Sequence, residues 1–214
     1  MPTVYCISGL GADEHIFDRL ELPGFPFHYL SWLMPEGDEP LGTYAKRMQA
    51  GIATDQPILL GVSFGGMMAI EIARHLPSAT VILVSSIQNR HQLPLLIRSS
   101  VWFGLGRWSP RVNLPILSPF EDYFLGVETP DDARLVRNYR GNVDPKYLQW
   151  SIRHIAGWRN EWKPERFYHL HGGRDRIFPL KMVQPTHIVK SGGHLMIYNR
   201  PEEVSRILQG ILAG

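Results

Sequence analysis

Gln56-Pro57-Ile58-Leu59-Leu60-Gly61-Val62-Ser63-Phe64-Gly65-Gly66 is the stretch whose reading decides the fold. Its first half is a short apolar run, and the chain from Phe64 to Leu76 has helical character until Pro77 closes it. Ser63 therefore stands at a strand-to-helix turn, with Gly61 two places before it and Gly65 two places after. A serine hydroxyl is a poor nucleophile unless it is held exposed on a sharp turn beside a base. An elbow of this kind strains the serine backbone, and small neighbours let the chain close around it. The pentapeptide means little alone, because Gly and Ser are common; its position between a strand and a helix gives it weight.

Further short apolar runs lie on either side: Thr3 to Ser8, Phe25 to Trp32, Ala79 to Ser85, Arg166 to His171 and Gln184 to Val189. They are nearly continuous rather than alternating, as strands covered on both faces should be. Helical patterns fall between them, over Leu41 to Ile52, Phe64 to Leu76 and from Asn199-Arg200-Pro201 onward, the last with Asn199 or Arg200 near its cap, Pro201 in its first turn and Glu202 and Glu203 after it. The alternation predicts an α/β fold with a mostly parallel sheet of about six strands and helices on both faces.

One segment breaks the rhythm. Between Arg90 and Glu165 no strand pattern appears, while Thr129-Pro130-Asp131-Asp132 and Asp144-Pro145 both look like helix starts. Five of the six tryptophans fall in this segment, and residues 90–166 hold 12 Lys+Arg against 8 Asp+Glu, where the remainder holds 10 against 12. The expectation is a core of residues 1–89 and 166–214 with a helical lid inserted at 90–165, the whole forming one folding unit.

Composition narrows the function classes. With 214 residues, 44% hydrophobic and 20% charged, the chain is neither disordered nor fibrous. A formal net charge of +2 gives no general electrostatic footprint for nucleic acid. The single cysteine, Cys6, rules out an internal disulfide framework and fits a reducing compartment. The start lacks a basic segment leading into a signal-like apolar run. The longest charge-free stretches, Gln56 to Ile70 and His75 to Asn89, fall short of the roughly 20 residues a spanning helix needs. The expectation is a soluble, cytoplasmic protein with no membrane span.

A serine nucleophile at such an elbow requires an acid and then a histidine later in the chain. His171-Gly172-Gly173-Arg174-Asp175-Arg176-Ile177-Phe178-Pro179 follows the fifth apolar run, and Ser191-Gly192-Gly193-His194 follows the sixth. Asp175 and His194 thus share with Ser63 the carboxyl edge of the sheet, where open α/β sheets build their sites. The other place for the acid, after the fourth run, reads Ser85-Ser86-Ile87-Gln88 and offers no carboxylate.

Ser63 in its elbow, Asp175 in a His-Gly-x-x-Asp-x-x-x-Pro setting and His194 after Gly-Gly together resemble the α/β-hydrolase superfamily, over essentially the whole chain. The sequence resembles a short member that begins at the strand before the oxyanion turn, with the helical insertion where that family places its cap. The resemblance implies a cofactor-free serine hydrolase of the esterase or thioesterase kind, acting on a small-molecule acyl ester or thioester, with Ser63, Asp175 and His194 as catalytic triad. It also implies an oxyanion hole made by the backbone N–H groups of Leu10 and Phe64. In the turn Ser8-Gly9-Leu10-Gly11, Ser8 replaces the histidine common in the family. The same triad would serve an acyltransferase or a C–C bond hydrolase, and the same fold a low-turnover ligand-binding protein.

Other motifs lead nowhere. Gly9-x-Gly11 meets Glu14 where a dinucleotide site needs glycine, and Met67-Met68 stand where a phosphate loop needs Lys-Ser/Thr. His169 and His171 share a strand face and could approach a metal with Asp175, but a buried histidine and a loop-shaping one are the simpler expectation, and no metal is expected. Trp102, Trp150, His154 and Trp158 are the candidate walls of an acyl pocket.

Overall fold

In the computed structural model, which describes residues 2–100 and 118–213, the six apolar runs pair into one sheet. β1 (Val4–Ile7), β2 (Phe27–Tyr29), β3 (Ile58–Val62), β4 (Thr80–Val84), β5 (Arg166–Gly172) and β6 (His187–Val189) lie in the order β2-β1-β3-β4-β5-β6, every neighbouring pair parallel. Ile7 pairs with Gly61 and Val62 with Val84. The chain winds outward from β1 to β2 and returns to β3 on β1's other side. The topological switch point, where such sheets open a crevice at their carboxyl ends, therefore lies between β1 and β3.

Alternate residues feed two cores. Tyr5, Ile7, Leu59, Val81, Leu83 and Phe167 face α1 (Leu41–Gln49) and α2 (Phe64–Ala73). Val4, Cys6, Leu60, Ile82, Val84 and Leu170 face a 3₁₀ turn at Glu14–Phe17, α7 (Met196–Asn199) and α8 (Pro201–Leu212). Both sides of the sheet are dry, so period two vanishes from the hydropathy and the strands read as continuous apolar runs. Every residue of α2 is buried, as expected of a helix apolar all round. Burial also pushes the Cys6 thiol far up, which keeps it neutral and unreactive.

Element boundaries are tighter than the sequence patterns suggest. The edge strands β2 and β6 shrink to three residues each, because only one flank offers a hydrogen-bonding partner. α1 ends at Gln49 and α2 at Ala73; beyond them Ile52 N–H bonds the Gln49 carbonyl at 2.9 Å and Leu76 N–H the Ala73 carbonyl at 3.1 Å. These are the tight i to i+3 bonds of a fraying last turn.

Between β4 and β5 the described residues form α3 (Leu95–Ser100), α4 (Ser118–Leu125), α5 (Pro130–Asn142) and α6 (Pro145–Gly157), with no strand among them. Thr129 and Asp132 form a reciprocal capping box on α5, and Asp144 caps α6 by accepting from Lys146 N–H at 2.7 Å and Tyr147 N–H at 3.1 Å. Two indoles seam these helices to the sheet layer. Trp150 Nε1–H donates to the Glu39 carbonyl at 3.0 Å, and Trp158 Nε1–H to Glu71 Oε1 on α2 at 2.8 Å. Trp158→Phe should leave the buried Glu71 carboxylate short of a donor and lower unfolding free energy by about 1–3 kcal/mol, read by urea denaturation. No helix among the described residues is long and apolar enough to cross a membrane.

Candidate active site

Ser63 links β3 to α2 with φ +52° and ψ −117°, a backbone conformation outside the regions that side chains favour. Its neighbours explain how the chain tolerates this. A Cβ on Gly61 would collide with the Gly65 carbonyl, and one on Gly65 with the carbonyls of Ile7 and Ser8. The start of α2 thus lies directly on the end of β1, and only glycine fits. Ser63 N–H is tied to the Val84 carbonyl at 3.0 Å, and the Ser86 hydroxyl donates to the Ser63 carbonyl at 2.6 Å. Because the opposing atoms at Gly65 are backbone and cannot give way, Gly65→Ala should cost about 1–3 kcal/mol of stability, measurable as a lowered denaturation midpoint.

The loops after β5 and β6 are zipped together. Gly173 N–H bonds the Val189 carbonyl at 2.9 Å and Arg174 N–H the Gly192 carbonyl at 2.9 Å, which brings Asp175 and His194 face to face. Asp175 Oδ1 accepts the N–H groups of Ile177 and Phe178, each at 2.9 Å. Its other oxygen, Oδ2, lies 2.9 Å from His194 Nδ1, and His194 Nε2 lies 3.0 Å from Ser63 Oγ. A carboxylate only accepts, so His194 carries its proton on Nδ1, and Nε2 presents a lone pair to the Ser63 hydroxyl. The Phe178 ring stands edge-on to His194 at 5.5 Å. Burial works to raise the Asp175 carboxyl, but the His194 charge and hydrogen bond, His171 and the Phe178 amide together hold it below its ordinary value.

The turn after β1 closes the opposite side. A Cβ on Gly9 would sit 3.5 Å from Ser63 Cβ, so this turn packs directly against the elbow. Ser8 Oγ donates to the Ala12 carbonyl at 2.6 Å and accepts Trp32 Nε1–H at 3.0 Å, so this serine bridges the turn to the segment that follows β2. Phe64 is the first residue of α2, where a helix leaves its amides without intrahelical acceptors, and Leu10 lies in the neighbouring turn. These are the two amides expected from the sequence to form the oxyanion hole.

His169 and His171 do meet, at 3.2 Å between Nε2 and Nδ1, and His171 Nε2 lies 2.7 Å from the Phe178 carbonyl. Burial, then the neighbouring His171, drives His169 down to about 3. Below the unfolded value of 6.5 the unfolded chain binds a proton that the folded chain refuses, so this stabilisation is complete above that pH and is lost as pH falls toward 3. Urea midpoints should accordingly drop between about pH 7 and about pH 5.

The remaining expected residues separate. Trp102 lies outside the described residues. Trp150 is buried at the α6 seam, its ring 4.4 Å from Tyr44, 6.4 Å from Phe64 and 4.6 Å from His154. His154 is half-buried, and desolvation lowers it below its ordinary value. Trp158 is anchored to Glu71, two helical turns along α2 from Ser63, and serves as a seam there. Trp32, which the sequence reading did not single out, stacks flat on Phe64 at 5.0 Å and meets Tyr147 at 5.5 Å. Its place at the end of a strand, on the edge that carries Ser63, was the available signal. Asp13 caps the 3₁₀ turn, accepting His15 N–H at 3.1 Å.

Residues 4–207 match the family model described as the alpha/beta hydrolase family. Among solved structures, the chain is similar to a thermophilic esterase from Thermogutta terrifontis, at 15% identity and a TM-score of 0.71, covering 100% of this chain and 90% of that one. It is also similar to an epoxide hydrolase from Bacillus megaterium (12% identity, TM-score 0.72, 100% and 94% covered). A lipase-esterase related protein from Clostridium acetobutylicum matches in the same way (15% identity, TM-score 0.72, 98% and 94% covered). At these identities the likeness concerns the fold. No curated protein matches the chain in sequence.

Proposed function

The chain belongs to the alpha/beta hydrolase family, and on that premise we propose that it is a serine hydrolase that cleaves an ester or thioester through an acyl-enzyme. The observation that carries this reading is the continuous alignment of Ser63 Oγ, His194 Nε2, His194 Nδ1 and Asp175 Oδ2 at 3.0 and 2.9 Å, on an elbow of positive φ. Ser63 Oγ attacks the acyl carbonyl while His194 Nε2 takes its proton. The tetrahedral oxyanion is held by the Leu10 and Phe64 amides, each worth about 3–4 kcal/mol. His194 passes the proton to the departing alcohol or thiol as the C–O or C–S bond breaks, then draws a proton from water as it attacks the acyl-enzyme and returns it to Ser63 Oγ as the acyl–serine bond breaks. Asp175 keeps the imidazole in its working tautomer and balances the imidazolium. The helices between β4 and β5 act as the lid.

Chemistry favours acyl substrates over epoxides, although an epoxide hydrolase shares the fold. A serine that opened an epoxide would be left as an alkyl ether, which water does not cleave. A serine acylated by an ester is left as an ester, which it does. The test is labelling with a fluorophosphonate probe, read by intact mass and peptide mapping. One adduct per chain, carried by Ser63, is expected; folded protein that takes up no probe would overturn the reading.

A further inference from the structure

Two of the buried titratable side chains that the mechanism above leaves unused lie close to its acid. His169 and His171 are two residues apart on β5, so the pleat turns both rings to the same face. Their protons can be assigned from what surrounds them. The Phe178 carbonyl can only accept, so His171 Nε2, 2.7 Å away, carries a hydrogen. In a neutral ring Nδ1 is then a bare acceptor, and the nitrogen it faces at 3.2 Å, His169 Nε2, must supply the proton. His169 Nδ1 is thereby left bare, and it is the ring atom that is buried with no hydrogen-bond partner. The proton order His169 to His171 to Phe178 satisfies both the ring-to-ring contact and the contact with the Phe178 carbonyl.

This chain ends on the loop that aims the acid. Phe178 gives its N–H to Asp175 Oδ1 at 2.9 Å and its carbonyl to His171, so the loop from Asp175 to Phe178 is pinned from both sides of one peptide residue. His171 Nε2 also lies 3.6 Å from Asp175 Oδ2, the oxygen that faces His194, and the His171 and Asp175 side chains are both fully buried. The separation is too long for a good hydrogen bond but close enough for the N–H dipole to favour the carboxylate. A charged imidazolium there would instead compete with His194 for the same oxygen. We propose that His171, held neutral as its Nε2–H tautomer by His169, is the positioning residue of the catalytic acid: it locks the Asp175–Phe178 loop so that Oδ2 is presented to His194 alone. Burial lowers both histidines, more than Asp175 raises His171, in keeping with two neutral rings.

The inference rests on the Ser63–His194–Asp175 reading, and Ser63→Ala separates the two. A fully active Ser63→Ala removes that reading, whereas an inactive Ser63→Ala beside a fully active His171→Leu removes only this inference. With p-nitrophenyl butyrate as probe, His171→Leu should lose about 10–100-fold in kcat, the size found when the hydrogen-bond partner of a metal-ligating side chain is removed, with KM changed by less than about twofold. His171→Gln keeps an N–H that reaches the Phe178 carbonyl and should recover most of the loss. The downfield proton resonance of His194 Nδ1–H should weaken in the leucine variant and return in the glutamine variant. Wild-type kcat in folded His171→Leu overturns the proposal, as does a glutamine variant as slow as the leucine one with the His194 resonance unchanged. Should His171→Leu fail to fold, nitrogen-15 spectra of the wild-type protein decide: neutral His171 protonated at Nε2 near pH 7 supports it, and a proton at Nδ1 overturns it.

Discussion

Ser63→Ala is expected to lower kcat/KM toward p-nitrophenyl butyrate by at least about 10,000-fold while the protein stays folded. The size follows from what the hydroxyl does: without it no acyl-enzyme forms, and only the oxyanion amides and substrate binding remain to favour direct attack by water. The structural consequence is small. The side chain contributes one hydrogen bond, at 3.0 Å to His194, so unfolding free energy should change by no more than about 1 kcal/mol. The elbow persists, because Gly61, Gly65 and the Ser86 hydroxyl hold its backbone rather than its side chain. Steady-state rates with circular dichroism and denaturation on the same preparations test this. Activity within tenfold of wild type would exclude Ser63 as the nucleophile.

Asp175→Asn is expected to cost about 1,000- to 10,000-fold in kcat, and the surrounding amides say why. Ile177 and Phe178 both donate to Oδ1, so an asparagine must keep its carbonyl oxygen there and turn its NH₂ toward His194. An NH₂ group can only donate, so His194 Nδ1 would have to accept and the ring proton would move to Nε2. The lone pair that receives the Ser63 proton is then gone, although the geometry is nearly unchanged. Fluorophosphonate labelling should slow in parallel, because it needs the same base. A variant that turns over at the wild-type rate would show that the acid lies elsewhere.

Much of this site could be read along the chain. The strand-serine-helix setting of Ser63, with Asp175 and His194 following strands in the expected order, is local information carried by apolar runs and glycines. Strand and helix spacing convert it into position at one sheet edge, and the structure brings the three side chains within hydrogen-bond reach. The glycine spacing around Ser63 was equally legible, because backbone closing on backbone leaves room for hydrogen alone.

The residues that support the site were less legible, for physical reasons. Trp32 lies 32 positions before Phe64 yet stacks on it, because the segment after β2 meets α2 only after the sheet has formed. Ser86 reaches the Ser63 carbonyl from the turn after β4, and no local pattern distinguishes that hydroxyl from its neighbour Ser85. Trp150 and Trp158 were recognisable as large apolar groups, but their N–H partners, Glu39 and Glu71, come from other layers of the fold.

His169 and His171 mark the boundary between the two kinds of information. The amino-acid order placed them on one face of a strand, since a pleat repeats every two residues whatever its surroundings. It likewise set the succession of nucleophile, acid and base, and the parallel character of strands buried on both faces. Whether the two rings are charged or neutral, and whether they bind a metal, bond each other or brace a loop, depends on how much water reaches them and which acceptor lies at the far end. Those are long-range facts. They arise when the loop after β5 folds back to set the Phe178 carbonyl against His171 in a site closed to solvent.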